Sequence, residues 1–139
     1  MIRIARAGDI PAIVQIEDRS FEIPWKASVF RSYLNYPGFV VYKNDDAIQG
    51  YAMVLLVNDS ATLVSLAIHP DHRRQGVGTV LLRWCEMFLR ETGYASMVLQ
   101  VREKNICARS FYRKMGFMES GRVLRYYPND NAVVMQKEL

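Results

Sequence analysis

The chain has 139 residues, of which half are hydrophobic and 23% are charged, so we expect one globular domain over residues 1–139 and exclude a disordered chain. The longest apolar run, Ala52–Val57, is far too short to span a membrane, and charged residues interrupt the N-terminal segment where a secretory signal needs an apolar stretch. The net charge of +4 is unevenly distributed, because residues 70–139 carry 12 basic and 7 acidic residues. This local excess of positive charge favours a phosphate-bearing ligand. Nucleic acid is disfavoured, because the sequence contains no nucleic-acid recognition motif.

The N-terminal segment predicts a short strand followed by two helices. Residues 3–5 are typical of a short strand, and residues 8–21 place isoleucine and valine at helical spacing. Asp9 is the expected N-cap of this helix, because its side chain can accept a hydrogen bond from a free N–H of the first turn. After an Ile-Pro-Trp interruption, Ser28 is expected to cap a second, short helix that ends near Asn35.

The next three segments predict strands. Residues 38–43 and 47–57 are rich in β-branched and aromatic residues and flank an Asn-Asp-Asp turn, which is typical of a hairpin. Residues 61–69 follow a second turn and are apolar on both faces. We therefore expect this strand to lie in the centre of a sheet.

The C-terminal half predicts two helices and three strands. Apolar residues recur at helical spacing after Val77, and Gly93 is expected to end this helix. Asn105 is expected to cap a second helix, which Gly116 ends. The strands are predicted over residues 96–102, 117–127 and 132–139. The order β-α-α-β-β-β-α-β-α-β-β indicates an α/β (α+β mixed) domain with helices on the faces of a mixed sheet, and it matches neither a Rossmann fold nor a TIM barrel.

The cysteines and histidines do not form a recognisable metal or redox motif. Cys85 and Cys107 fall on different predicted helices without metal-binding or redox spacing, so we interpret both as core thiols of a cytoplasmic protein. His69 and His72 have the spacing H-x-x-H, but Pro70 prevents a helix between them and no third ligand is evident. We expect no metal, because a zinc site needs three or four ligands.

A glycine-containing step precedes the clearest helix of the chain. Its sequence, Arg-Arg-Gln-Gly-Val-Gly, combines the two cations Arg73 and Arg74 with Gly76 and Gly78, which let a ligand approach the backbone closely. A helix N-terminus also offers free N–H groups, so the step can cradle a pyrophosphate. The step does not match the dinucleotide-binding motif G-x-G-x-x-G, because Leu81 stands at the position of the third glycine. It does not match a P-loop either, because no Gly-Lys-Ser/Thr follows. Taken alone, Gly-x-Gly is equally compatible with a loop that merely starts a helix.

The step resembles the acetyl-CoA motif Gln/Arg-x-x-Gly-x-Gly/Ala of the GNAT superfamily of N-acetyltransferases. The segments IPW, LVSLAIHPDHRRQGVGTVLL, LQVREKNICARSFYRKMGF and LRYYP are similar, in this order, to segments of its RimI-type branch, which acetylates protein N-termini. Together they cover nearly the whole chain. The resemblance implies a central, mostly antiparallel sheet with a splayed parallel pair and helices on both faces.

The resemblance also implies how acetyl-CoA lies. The pantetheine arm is expected between the splayed strands, the pyrophosphate at the glycine step, and Asn105 beside the arm, a role compatible with its ordinary role as an N-cap. The residues assigned to acetyl-CoA are Leu66, Ala67, Ile68, Arg73, Arg74, Gln75, Gly76, Val77, Gly78, Thr79, Asn105 and Tyr112.

The expected chemistry is direct acetyl transfer to an amine in a ternary complex. The resemblance makes Tyr112 the acid that protonates the leaving thiolate, although by position it is also an ordinary core aromatic. The thioester carbonyl is expected to be polarised by a backbone N–H near Ile68. Gln100 replaces the glutamate of the relatives' Leu-Glu-Val-Arg, and an amide cannot accept a proton at neutral pH. The Gln100 amide can orient a water molecule or the acceptor amine, and Glu22 or Glu103 is then the candidate for the base. Each of these two glutamates is also compatible with an ordinary surface charge.

The acceptor is expected to be the N-terminal segment of a protein such as a ribosomal protein. Tyr126 and Tyr127, predicted in the loop between the last two strands, are expected to hold it together with Glu22 and Trp25, though paired tyrosines are as often ordinary packing. Asn131 replaces an aspartate common in the relatives. Two alternatives stay open: an enzyme acting on a lysine or a small amine, and a non-catalytic acyl-CoA-binding sensor. The oligomeric state is not determined by the sequence.

Overall fold

The computed structural model describes residues 1–139, with seven strands and four helices in the predicted order. The strands are β1 (Ile2–Ile4), β2 (Phe39–Asn44), β3 (Ala47–Val57), β4 (Ser60–Ile68), β5 (Ser96–Arg102), β6 (Met118–Tyr127) and β7 (Asp130–Glu138). The helices are α1 (Ile10–Ser20), α2 (Ala27–Ser32), α3 (Val77–Glu91) and α4 (Ile106–Lys114), with short 3-10 turns at Ala7–Asp9 and Pro70–His72. None of the helices is long and apolar enough to cross a membrane.

All seven strands form one sheet in the order β1-β2-β3-β4-β5-β7-β6. Every neighbouring pair is antiparallel except β4 and β5, which are parallel. One core packs α3 and α4 against one face, and a second packs α1 and α2 against the other. This arrangement confirms the predicted mixed sheet with helices on both faces and the central position of β4.

The apolar stripe of α3 anchors the larger core. Its buried apolar residues are Val77, Leu81, Leu82, Cys85 and Leu89. The valine and each leucine contribute roughly 1.5–3 kcal/mol by leaving water. Cys85 is thus the core thiol that was predicted. Cys107 is exposed, so its prediction as a core thiol was wrong, because it lies on the face of α4 turned away from the sheet.

β4 and β5 are hydrogen-bonded at one end only. Their pairs are Thr62 with Val98 and Leu63 with Leu99, and no further pairs follow although both strands continue. The register of β4 against β3 skips Val64, an extra residue between Leu63 and Ser65 that forms a β-bulge. A bulge bends the strand that carries it, so β4 leaves β5 directly after Leu63. The predicted splayed pair is confirmed, and the space between the two strands is called the gap below.

Two predicted helix caps hold to different extents. Asp9 occupies the N-cap position of α1 as predicted, but its side chain makes no capping hydrogen bond, because its carboxylate accepts from the Arg3 guanidinium at 2.6 and 2.8 Å and from the Arg6 N–H at 2.9 Å. The predicted cap at Ser28 was wrong, because the chain turns into α2 earlier: Ser28 lies inside this helix, whose N-cap is Lys26.

Three other helix ends are as predicted. Gly93 and Gly116 follow α3 and α4 with φ of +93° and +96°, the left-handed conformation in which glycine commonly ends a helix. The Asn105 side chain caps α4 by accepting a hydrogen bond from the Ala108 N–H at 3.1 Å. These residues set where α3 and α4 begin and end beside the gap.

Candidate active site

The splayed part of β4 offers backbone groups to the gap. The N–H and C=O of one strand residue point to the same side, and successive residues alternate. Because the His69 N–H donates to β3 at 2.8 Å, the backbone groups of Leu66 and Ile68 point the other way, into the gap. The Ile68 carbonyl accepts from Arg73 Nε at 3.1 Å. Ala67, also assigned to the ligand by the sequence, turns its backbone toward β3.

The N-terminus of α3 lies at the end of β4. Gly76 is its N-cap, with φ of +84°, a left-handed conformation that favours glycine. The first helical bond joins the Val80 N–H to the Gly76 carbonyl at 3.0 Å, which leaves the N–H groups of Val77, Gly78 and Thr79 without a helical partner. These donors and the positive end of the helix dipole suit an anion such as a pyrophosphate.

Gly78 is not required by the protein's own packing. A Cβ at this position would lie 3.5 Å from the Phe111 ring and 3.7 Å from Ile68 Cγ1, which is ordinary van der Waals contact. A glycine in a helix costs roughly 0.5–1 kcal/mol relative to alanine. The chain accepts this cost where a larger residue would fit, which is expected if a ligand needs the space. The cradle therefore fits the pyrophosphate of acetyl-CoA.

Of the two arginines, Arg74 is the one free to meet a ligand. Arg73 donates to the Ile68 carbonyl and from Nη2 to Ser20 Oγ at 3.2 Å, so it ties the loop to the end of α1. Arg74 is exposed, has φ of 62°, and has no hydrogen-bond or ion-pair partner in the chain. Gln75 donates to a carbonyl of the preceding turn at 3.4 Å.

Tyr112 presents an unpaired hydroxyl from α4. Its ring is 8% exposed and packs against Phe111 and Phe117 at centroid distances of 5.3 and 5.6 Å. The hydroxyl makes no hydrogen bond within the chain, and the residue as a whole is buried. Burial, and to a lesser extent Cys85, raises the pKa of Tyr112 well above its usual value. The phenol is therefore protonated at neutral pH and available as a donor.

Gln100 lies on the opposite face of the sheet from Tyr112. The neighbouring β5 side chains Met97, Leu99 and Val101 point into the core under α3 and α4, to which Tyr112 also belongs. Gln100 therefore points to the α1/α2 face, where it is exposed. The gap is the opening through which a bound group can meet Tyr112 from one side and Gln100 from the other.

Glu22 and Glu103, the two candidate substitute bases, are both ion-paired. Glu22 Oε2 lies 3.7 Å from Arg102 Nη1. Glu103 Oε1 lies 3.0 Å from Arg122 Nη2, and its Oε2 accepts a hydrogen bond from Asn131 at 2.8 Å. The charge of each carboxylate is thus already compensated by a neighbouring cation.

A polar contact joins the α1–α2 segment to the β6–β7 hairpin. Arg102 donates to Asn129 Oδ1 at 2.8 Å and lies over the Tyr127 ring at 4.2 Å from its centroid. Asn129 Nδ2 donates to Glu22 Oε2 at 3.2 Å. Tyr126, beside this contact, is 52% exposed. These contacts hold the segment that carries Glu22 against the turn of the β6–β7 hairpin.

The three expected aromatic acceptor residues lie in regular or packed parts of the fold. Tyr126 and Tyr127 are the last residues of β6, in agreement with the strand predicted to end at residue 127 and not with their expected place in the loop, because the hairpin turn occupies only positions 128–129. Their rings lie 5.0 Å apart in an edge-to-face arrangement. Trp25 is half-buried and packs against Phe30 at 5.6 Å, so its ring is part of the smaller core.

Sequence reasoning missed a buried polar chain beside the gap. Glu17 of α1 accepts hydrogen bonds from the Tyr51 hydroxyl and, at 2.9 Å, from the Trp25 N–H. The Tyr51 oxygen lies 2.8 Å from Ser65 Oγ. One signal was available: Glu17 comes seven residues after the buried Ile10, so it falls on the apolar stripe of α1, where a carboxylate needs partners.

The model of the acetyltransferase (GNAT) family matches residues 10–117. The chain therefore belongs to this family, and it is an acyltransferase that uses acetyl-CoA. It is 33% identical over 136 residues to the ribosomal protein bS18-alanine N-acetyltransferase of Escherichia coli strain K12, a match covering 91% of this chain and 89% of that protein.

Solved structures agree with the family. The crystal structure of the ribosomal-protein-S18-alanine N-acetyltransferase from Escherichia coli superposes with a TM-score of 0.88 at 30% identity, covering 99% of this chain and 92% of that chain. Ard1 from Thermoplasma volcanium superposes with a TM-score of 0.94 at 25% identity, covering 100% of this chain and 97% of that chain.

Proposed function

We propose that this protein transfers the acetyl group of acetyl-CoA to the N-terminal α-amine of a protein, in the cytoplasm and by direct attack in a ternary complex. The observation that carries the proposal is the gap, which opens the sheet between Tyr112 on one face and Gln100 on the other. The relatives named for acetylating the alanine of a ribosomal protein support an N-terminal segment of such a protein as the acceptor.

The donor side uses the backbone of β4 and the start of α3. The free N–H groups of Val77, Gly78 and Thr79 hold the pyrophosphate, with the Arg74 guanidinium beside them. Backbone groups of Leu66 and Ile68 pair with the pantetheine arm, and an N–H there polarises the thioester carbonyl. Asn105, at the start of α4, borders the same arm while it caps its helix.

The acid side relies on Tyr112. Acetyl-CoA supplies the acetyl group and leaves as a thiol, which requires one proton at sulfur. The Tyr112 hydroxyl is an unpaired donor, and its proton is retained at neutral pH, so it can supply that proton when the carbon–sulfur bond breaks. Its position in the core under α3 and α4 keeps the ring orientation fixed by packing.

The acceptor side favours an α-amine over a lysine. The acceptor ammonium must lose a proton before attack, and Gln100 cannot take it; whichever group receives the proton, an amine of lower pKa is easier to deprotonate. About one in seven α-amines with a pKa near 7.8 is neutral at pH 7, against about one in 2,500 lysine amines with a pKa near 10.4. This difference is worth roughly 3.5 kcal/mol in favour of the N-terminus.

The test offers matched amines to the purified protein with acetyl-CoA. One peptide has a free N-terminus and no lysine, a second has the same sequence with a blocked N-terminus and one lysine, and spermidine represents small amines. Mass spectrometry then identifies the acetylated product.

We expect acetylation of the free N-terminus at a rate at least a hundred times that of the lysine. Faster modification of the lysine peptide or of spermidine would change the acceptor class. Acetyl-CoA binding in calorimetry without any acetylated product would identify a non-catalytic acyl-CoA sensor.

A further inference from the structure

The buried chain Glu17–Tyr51–Ser65 has one direction in which protons can move. Glu17 is 3% exposed, and as a carboxylate it only accepts hydrogen bonds. Tyr51 has one proton, which it donates to Glu17. Ser65 must therefore be the donor in its 2.8 Å contact with Tyr51, which leaves the free lone pairs of Ser65 Oγ as the outer end of the chain.

The outer end faces the site of attack. Leu63 and Leu99 are paired across β4 and β5, and both point into the core under α3 and α4. Gln100 follows Leu99 directly, whereas Val64 and Ser65 together occupy one register position because of the bulge. Ser65 therefore stands level with Gln100 across the gap. Both side chains face the α1/α2 side, from which the acceptor arrives.

We propose that Ser65, Tyr51 and Glu17 form a proton relay that receives the proton of the incoming α-ammonium in place of a glutamate at position 100. This inference rests on the proposed function, since it needs an N-terminal amine as the acceptor. Ser65 is the group that meets the amine or one intervening water, and Tyr51 and Glu17 act through it.

The proton transfer balances. As the ammonium N–H bond breaks, Ser65 gains that proton and passes its own to Tyr51, and Tyr51 passes its proton to Glu17 Oε1. Both hydroxyls end with one proton each, the amine becomes neutral and Glu17 becomes a neutral acid. After the product leaves, the proton returns along the same chain to solvent.

The surroundings of Glu17 make it a better proton acceptor than an exposed carboxylate. Burial raises its pKa, and the Trp25 N–H and Tyr51 hydroxyl oppose this only in part. Asp18, on the same helix, adds to the increase. No cation pairs with Glu17. Glu22 and Glu103, by contrast, each lie beside an arginine.

The relay predicts a specific pH dependence. With a relay, the ammonium form of the acceptor is productive, so kcat/KM stays level below the amine pKa until Glu17 itself is protonated. Without it, only neutral amine reacts. For an α-amine with a pKa near 7.8, the neutral fraction sets the largest possible effect of Ser65→Ala, a fall in kcat/KM of up to about 60-fold at pH 6 and up to about 7-fold at pH 7, with no difference at pH 9.

Two further variants separate the relay from a structural role. In Ser65→Ala, Tyr51 keeps its bond to Glu17, so the fold should be retained. The double variant Ser65→Ala/Gln100→Glu places a carboxylate level with the lost hydroxyl and should recover most of the activity at pH 6 and 7. Ser32→Ala is the control, because the Ser32 hydroxyl bonds only to the α2 backbone, at 2.6 Å.

The experiment measures kcat/KM on one lysine-free peptide at pH 6, 7 and 9 for all four proteins. A Ser65→Ala deficit that is the same at every pH, no deficit at all, or no recovery by Gln100→Glu would overturn the relay. Failure of the proposed function looks different: the wild-type protein itself would then leave the peptide N-terminus unmodified.

Discussion

Replacing Tyr112 by phenylalanine should separate acid catalysis from packing. The substitution keeps the buried ring and its contacts with Phe111 and Phe117, and it removes only a hydroxyl that has no hydrogen-bond partner in the chain. No buried donor or acceptor loses a partner, so the free energy of unfolding should change by less than about 0.5 kcal/mol. The calorimetric affinity for acetyl-CoA should stay within about twofold, because the phenol is expected to act on the leaving sulfur.

The catalytic cost should be much larger. A general acid contributes about 10²–10⁴-fold, so we expect kcat to fall by roughly 100-fold, which corresponds to about 2.7 kcal/mol in the barrier. Because the pKa of Tyr112 is raised above its usual value of 10.0, the wild-type kcat should show no descending limb up to pH 10. Thiol release from acetyl-CoA gives kcat, and urea unfolding gives the stability.

Tyr94→Phe is the matched control for this experiment, because the Tyr94 hydroxyl bonds only to the Asn58 carbonyl at 3.1 Å, at the other end of the sheet. If Tyr112→Phe turns over at close to the wild-type rate, Tyr112 is a packing residue. A fall in kcat that is accompanied by equal losses of acetyl-CoA affinity and stability would also refute the acid role.

Four further substitutions address the donor site, the acceptor site and the fold. Gly78→Asp should abolish calorimetric binding of acetyl-CoA, because a side chain and a negative charge enter the cradle at the start of α3; unchanged affinity would remove the proposed pyrophosphate site. Tyr126→Ala and Tyr127→Ala should each raise KM for an N-terminal peptide and leave acetyl-CoA binding intact, and peptide kinetics that do not respond to either change would place the acceptor elsewhere. Glu86→Ala should lower the free energy of unfolding, measured in urea, by about 3 kcal/mol, because the 22% exposed Lys137 side chain loses its buried carboxylate partner. A loss below about 1 kcal/mol would show that water replaces Glu86 as the partner of the Lys137 ammonium.

Local sequence patterns were sufficient for the order of elements and for the helix start on which the proposed donor site depends. The apolar period of α3, the glycines that end α3 and α4 and the Asn105 cap each act within one or two helical turns, so their effect can be recognised from neighbouring residues. The cradle of Gly76 and Gly78 belongs to the same class, since its N–H groups come from consecutive residues.

Local patterns were insufficient where a side chain has a choice of partners. Asp9 was a reasonable cap by residue type, but the Arg3 guanidinium competes for its carboxylate and forms two hydrogen bonds. Cys107 was a reasonable core thiol, but α4 has only one face against the sheet. In each case the outcome depends on which surfaces the fold brings together.

The sequence by itself thus determined the class of fold, and it predicted an anion site at the start of α3 and, through the family resemblance, Tyr112 as the candidate acid. Only the tertiary structure brought together the residues of the proposed acceptor side. Glu17 meets Tyr51 across 34 residues of chain, and Asn129 meets Glu22 across 107. Neither contact follows from spacing, because each joins elements that only the strand order and the packing of the helices bring together. A single extra residue in β4 opens the gap and sets Ser65 level with Gln100, and such a shift is decided by pairing and packing along the whole strand.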